Sequence, residues 1–350
     1  MTFPLSDIDN RTQKNSTGMI RGLWILLLVL FLCSLMAGRF KITVSEISAI
    51  VSSLFPGHSL SPDLISHKLV FLWIRLPRCL MAVMVGIGLS VSGAVYQAIF
   101  RNPLVSPDIL GVAAGCTFGA ALGIILPGDS FYLVQTLAFG FGLLAVFMAI
   151  GIARLISVKP VIVMVLAGMV VLSFFNALLM LLKYFSDPYD ELPGIVFWIM
   201  GSLTRVTWHD LAITAPVTCC GLLLFMLLRF RLNILSLGDI QARSLGMNPA
   251  IFRLVLIVTS SFMVAMTVAT CGQICWIGLI IPHMARTIAG PEHKNMLPVT
   301  ALLGGIFMLA ADGAARSLTP AEIPVGIITA LIGAPIFAFL LYKNRGSGWL

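Results

Sequence analysis

Charge is what this sequence has least of. Asp, Glu, Lys and Arg make up 10% of its 350 residues against 59% hydrophobic ones, and a mean hydropathy of +1.03 excludes a water-soluble globular domain. The net charge of +8 is scattered, so it forms no basic run of the kind that binds nucleic acid. Seven cysteines (Cys33, Cys79, Cys116, Cys219, Cys220, Cys271, Cys275) include no CxxC pair and are odd in number; they read as small apolar packing residues without a disulfide framework. Cys271 and Cys275 stand at helical spacing, but no histidine completes a metal set. The chain also lacks a GxxxxGK[ST] phosphate loop, an HExxH pair and a GxSxG elbow, and its five histidines are dispersed. No catalytic residue is therefore expected, and no cofactor held by this chain. Ionisable residues are equally rare inside the apolar runs. Asp312 is the one acid placed within a span, four residues before Arg316, and a helix-face pair explains it. A chain so poor in buried ions is badly equipped to couple transport to an ion gradient, so its power must come from outside.

What the sequence does have is apolar length. Runs near the 20 residues that a bilayer requires cover about 22–37, 79–100, 109–126, 132–153, 160–182, 211–228, 254–272, 297–315 and 324–342. The stretch from Leu254 to Ala289 is too long for one span and is interrupted at Gly272-Gln273 and Pro282, which adds a short one at 274–289. The expectation is an all-α polytopic membrane protein, residues 1–350 forming a single transmembrane domain of about ten helices. Its polar first 19 residues form a tail ahead of a retained first helix. Placing that tail in the cytoplasm divides Lys and Arg fourteen to eight in favour of the inside, which sets both termini there. Between spans, residues 44–54 look helical, and ELPGIVFWIMGSL within 184–210 is too short to cross; it reads as a re-entrant or interfacial helix anchored by Trp198 and Trp208.

Two interrupted segments occupy corresponding places in the halves formed by helices two to five and seven to ten. The first is RNPLVSPDILG (101–111), where Ser106 can cap and Pro107 suits a first helical position; the second is GQICWIGLIIPHMAR (272–286). Broken segments paired in this way suggest the inverted-repeat architecture of transporters.

The most soluble-looking internal stretch is RFRLNILSLGDIQARSLGMNP (229–249). Ser236 as N-cap, Asp239 in the capping-box position and Gly246 as a left-handed stop predict a helix of about two turns. Leu237, Ile240 and Leu245 give it an apolar edge, flanked by Asp239, Gln241 and Arg243. A structured linker and a docking element fit this pattern equally well.

Residues 75–115 (RLPRCLMAVMVGIGLSVSGAVYQAIFRNPLVSPDILGVAAG), LSLGDIQARSLGMN, GQICWIGLIIPHMARTIAGPEHKNMLP and EIPVGIITALIGAPIFAFLL resemble, in order, the signatures of the permease subunit of type II ATP-binding-cassette importers. Those permeases take up iron-siderophores, haem, cobalamin and related chelates. The resemblance implies a bacterial inner-membrane transporter without catalytic activity of its own. Its implied partners are a second permease subunit, identical or paralogous, two ATPase subunits holding ATP and Mg, and a periplasmic or lipoprotein binding protein. It implies ATPase-coupling roles for Leu237, Asp239, Ala242, Arg243 and Gly246, and docking of the binding protein at Arg75, Arg78 and Arg316. For the arginines, snorkelling or the Asp312 pair is the competing explanation. It further implies a path lined by residues 160–182, with Ser157, Val158 and Val161 near the inner gate and Ala167 and Gly168 allowing two subunits to approach, unless they pack helices within one subunit. An iron(III)-siderophore-type chelate is the first expected cargo, with haem, cobalamin or an oxyanion as alternatives, and an ion-coupled secondary transporter as the rival mechanism.

Overall fold

The computed structural model describes residues 5–38, 40, 42–56, 61–127, 130–156 and 160–343. Its regular structure is helical, with no strand among the described residues. Eight helical runs are long and apolar enough to cross a membrane: α1 (Leu5–Met36), a run from Pro62 ending in α4 (Leu76–Phe100), α6 (Phe131–Ile156), α7 (Pro160–Phe185), α9 (Trp208–Leu237), α11 (Pro249–Cys271), α13 (His293–Ser317) and α14 (Val325–Lys343). Two shorter apolar helices, α5 (Val112–Ile125) and α12 (Ile277–Ala289), complete the expected ten. Four small helices join them: α2 (Val44–Ser52), α3 (Ile65–Leu69), α8 (Glu191–Ile199) and α10 (Asp239–Ser244). The run into α4 begins well before residue 79, because a 3₁₀ turn, α3 and a π-helical turn at Val70–Arg75 precede it without interruption.

α4 is the hub, packing on α9, α11, α12 and α13. In its most apolar stretch 78% of residues are buried, against 22% in α7 and in α14, which carry the outward-facing apolar surface. Small residues make this crowding possible. A Cβ on Gly93 would stand 1.8 Å from the carbonyl oxygen of Gly278, and one on Gly86 would stand 2.1 Å from that of Gly304. Hydroxyls supply the polar contacts that an apolar solvent cannot: Ser90 donates to the Thr300 carbonyl at 3.1 Å, Tyr96 and Ser261 share a bond of 2.8 Å, and Thr214 meets Thr270 at 3.1 Å. Cys79, Cys116 and Cys271 are buried as apolar residues.

Both interrupted segments are true breaks. α5 and α12 have 14 and 13 residues, about 20 Å of helix, so the breaks that precede them lie within the hydrophobic thickness. The two meet: a Cβ on Gly278, at the start of α12, would touch Pro107 of the first break at 2.3 Å. Cap details differ from expectation. α5 starts at Val112, and the acceptor at its N-terminus is Asp108, whose Oδ1 takes the Ala113 N–H at 2.7 Å; Ser106 does not cap it. Pro282 lies inside α12, and the second break is confined to residues 272–276. α8 is the short helix expected within 184–210; beyond it the Ser202 N–H donates to the Cys271 carbonyl at 2.8 Å, which ties this segment to the second break. Trp208 is pinned internally, its indole N–H donating to the Leu72 carbonyl at 2.9 Å.

Candidate functional site

The 30 residues of α9 span about 45 Å, so α8 and α10 belong to opposite ends of the bundle. At the α10 end, helix α9 continues through Ser236, whose hydroxyl donates to the Asn233 carbonyl at 2.6 Å, so Ser236 is not the N-cap. The chain turns at Gly238, where φ 130° and ψ 161° suit only glycine, and Gly238 caps a helix of six residues. Asp239 therefore occupies its first position, where its charge also suits the helix dipole. The predicted stop is found as drawn. Met247 N–H bonds Ala242 O at 3.0 Å and Gly246 N–H bonds Arg243 O at 2.9 Å, a Schellman motif around Gly246 at φ 77°. Asn248 then caps α11 through the amides of Ala250 and Ile251.

α10 is held by one carboxylate. Asp239 accepts from Arg101 at 2.6 Å and from the buried Arg253 at 2.8 Å, joining the ends of α4, α10 and α11. Burial pushes its carboxyl up, but the hydrogen bonds and charges of Arg253 and Arg101 outweigh this and hold it below the usual range. Arg101 is itself in a left-handed conformation (φ 49°) at the end of α4, a position that costs a non-glycine residue about 1–2 kcal/mol and that the ion pair helps to hold. Asp239 is thus committed to internal partners instead of being available to an outside one. Leu237, Ile240 and Leu245 are 64%, 82% and 62% exposed, while Ala242 is fully buried against the body. Arg243 is exposed beside this edge.

At the other end, the expected docking arginines are internal. Arg75, Arg78 and Arg316 are each 4–5% exposed. Arg75 donates to the carbonyls of Leu35 (2.7 Å), Met36 (3.0 Å) and Phe40, closing the end of α1. Arg78 pairs with Asp312 at 2.9 Å and Glu322 at 2.8 Å; Arg316 pairs with Asp312 at 3.0 Å and donates to the Ser34 hydroxyl at 2.6 Å. The i,i+4 pair of Asp312 and Arg316 is present, but it is half of a buried cluster that joins α1, α4 and α13. The arginines stand inside for a physical reason: their donors satisfy helix-end carbonyls and carboxylates that would otherwise lie unpaired in a nonpolar region. Glu322 remains partly exposed, and its carboxyl, though raised by burial, is held below its ordinary range by Arg78 above all.

Ser157 and Val158 lie outside the described residues, and on α7 Val161 is half-buried against the core. Ala167 and Gly168 are buried, and a Cβ on Gly168 would stand 2.1 Å from the Ile109 carbonyl oxygen. Gly168 lets α7 pack on the first break of its own chain. Sequence reasoning missed the cavity beside it, of about 340 Å³, lined by Asp108, Asn176, Lys183 and Gln273. The only signal was spacing, with Asn176 and Lys183 seven residues apart on one helix face.

A helical membrane body with paired broken helices and a rigid, apolar-edged helix at one end defines a transport protein of the permease class. The chain belongs to the FecCD transport family, whose model matches residues 26–343. It is 42% identical over 330 residues to the molybdate import system permease protein MolB of Haemophilus influenzae, covering 93% of this chain and 96% of that one. It is 36% identical to the vitamin B12 import system permease protein BtuC of Klebsiella pneumoniae, over 96% of this chain and 97% of the other. A probable iron chelatin transport system permease protein of Helicobacter pylori is 38% identical, over 86% and 96%. The solved inward-facing structure of a metal-chelate type ABC transporter superposes with a TM-score of 0.83 at 40% identity, covering 93% of this chain and 99% of that chain. The chain is the permease component of an ABC importer, a multi-pass membrane protein, and its family implies ATPase and substrate-binding partners.

Proposed function

We propose that this permease imports a metal-centred solute, an iron(III)-siderophore-type chelate in the first place, across a bacterial cytoplasmic membrane. It acts with a second permease subunit, identical or paralogous, and its drive comes from two ATPase subunits that bind at the α10 end, which faces the cytoplasm together with both termini. The observation that carries this is a helix fixed from behind by Asp239 and Ala242 while Leu237, Ile240 and Leu245 stand exposed. A helix of six residues cannot hold such an edge by its own stability. Its triple attachment to α4, α9 and α11 lets a displacement at α10 reach the core, which is the requirement for coupling ATP binding to alternating access. Ala242, Arg243 and Gly246 serve this element as buried foot, polar flank and stop.

A periplasmic or lipoprotein binding protein delivers the cargo at the opposite end, onto a surface that Arg75, Arg78 and Arg316 hold in shape from within. A second reading of the cargo, a molybdate-type oxyanion, is favoured by the 42% identity to a molybdate permease. Haem and cobalamin fit less directly. The test is reconstitution with ATPase and binding protein: uptake should require ATP, and a cysteine placed at Leu245 should react with membrane-impermeant reagent only from the cytoplasmic side. Labelling from outside, or concentrative uptake without the ATPase, would overturn the reading.

A further inference from the structure

A second cavity, of about 400 Å³, opens beside α10, where the last turns of α6 meet the first turns of α11. Its charged wall is Arg154 from α6, Arg243 and Asp239 from α10, and Arg253 from α11. Asp239 is already spent, since it accepts from Arg253 at 2.8 Å and from Arg101, which lies outside the cavity, at 2.6 Å. Arg154 and Arg243 are exposed and make no hydrogen bond or ion pair among the described residues. Arg253 is 3% exposed, and its buried Nε has no partner among them either. A guanidinium only donates and does not lose its charge, so three arginines against one committed acid select an anion with several acceptor oxygens. The rest of the wall is apolar and includes Ile150 of α6 and Ile251 of α11. That apolar surface continues along both helices: Phe147 lies two turns before Arg154 on one face, Val255 one turn beyond Ile251 on the other, and both are exposed. With 26 and 23 residues, about 39 and 35 Å, α6 and α11 cross the membrane, so a cavity at their ends lies at headgroup depth.

We infer that this cavity holds the phosphodiester headgroup of an anionic phospholipid, with Arg154 and Arg243 on the phosphate and the acyl chains along Ile150, Phe147, Ile251 and Val255. A basic mouth over an apolar stripe at headgroup depth fits a lipid, whereas an acidic side chain of a protein partner would leave the stripe without an occupant. The assignment rests on the importer reading above for its leaflet alone, the cytoplasmic one, and not for its cargo. Arg154 stands on α6 and Arg243 on α10, so a phosphate shared between them adds α6 to the helices that hold α10. The lipid thereby becomes part of the support of the edge formed by Leu237, Ile240 and Leu245.

The full-length permease in neutral detergent is titrated with dioleoyl phosphatidylglycerol, dioleoyl phosphatidylcholine and inorganic phosphate, and binding is read by native mass spectrometry. Phosphatidylglycerol should bind at one site per chain in preference to the zwitterionic lipid, and millimolar phosphate should not displace it. Arg154→Gln and Arg243→Gln should each weaken it about fivefold, the effect of one arginine at an anionic headgroup, and together about 25-fold. Arg154→Lys should keep most of the affinity, which a charge-independent loss of structure would not allow. Arg231→Gln removes an exposed cation at the same end but outside the cavity and should change nothing. Equal binding of phosphatidylcholine, wild-type affinity in the double variant, or an equal loss in Arg231→Gln would overturn the site. Displacement by inorganic phosphate would make it a free-anion site, and loss of the lipid when the ATPase subunits join would give the cavity to an acidic side chain of that partner; either overturns the lipid. None of these readouts measures uptake, so the failure of the site leaves the importer reading standing.

Discussion

The two ends of the molecule both use arginine–carboxylate clusters, and they use them differently. At the end opposite α10 Asp312 is fully buried between Arg78 and Arg316, with Ser34 and Glu322 completing the set. At the α10 end Asp239 has a third of its side chain exposed, and one of its partners, Arg101, is 40% exposed. Closed off from water, Asp312 cannot be lost from the first cluster without stranding a charge. The second lies where solvent can replace a lost bond. Burial therefore makes the Asp312 cluster a structural lock, whereas partial exposure leaves the Asp239 cluster able to shift without unfolding the chain.

The sharpest way to break this contrast is Asp312→Leu, which leaves the buried Arg316 without a carboxylate and Arg78 with Glu322 alone. It should destabilise the permease by about 3–5 kcal/mol, read as thermal unfolding in detergent. A loss below about 1 kcal/mol, the range of an exposed pair, would mean that the Asp312 cluster is not sealed. Asp239→Arg should weigh more on transport than on folding. It takes the carboxylate from the buried Arg253, so stability should fall by about 1–3 kcal/mol, while ATP-driven uptake falls by an order of magnitude and ATP hydrolysis continues, the size of a coupling energy of about 1–3 kcal/mol. Normal uptake by this variant would remove α10 from the transmission path. Gly246→Val adds a β-branched side chain at φ 77° where nothing lies within 4 Å, so its cost is conformational, about 1–2 kcal/mol, and should appear as weaker ATPase binding to the permease. A rigid α10 unaffected by it would show that the Schellman stop is dispensable.

The smallest effect is that of acid. The Asp239 carboxyl is held below its ordinary 3.8, so its stabilising contribution is present above that value and disappears as pH falls through the lower folded-state value. The difference in melting temperature between the wild type and Asp239→Asn should therefore be flat from neutral pH to about 5 and shrink only in stronger acid. A difference already declining near pH 6 would mean that Arg253 and Arg101 do not hold the carboxylate.

How much could be read in advance follows from the range of each signal. The ten helices were legible because apolar length is a property of contiguous residues, and the two breaks because glycine and proline punctuate locally. Gly246 and Asn248-Pro249 were legible for the same reason. Ser236 misled because a good capping residue three positions before an acid mimics a capping box, while the adjacent Gly238 actually allows the turn. The arginines misled more deeply. A basic residue near the end of an apolar run looks like a snorkelling or docking group, and whether its head meets water or a carboxylate depends on a distant segment: Asp312 is 234 residues from Arg78, and Asp239 is 138 from Arg101.

By itself the sequence determined the solvent of this protein, the number and approximate extent of its helices and the stop of α10. Each follows from composition or from periodicity over a few turns. Only the tertiary structure decided that Gly168 packs on its own chain, that three arginines are buried, and that Pro107 meets Gly278 with a polar cavity beside them. These are choices among helix pairings, made where side-chain volume and unpaired polar groups leave one arrangement of low energy, and no local property of the chain encodes them.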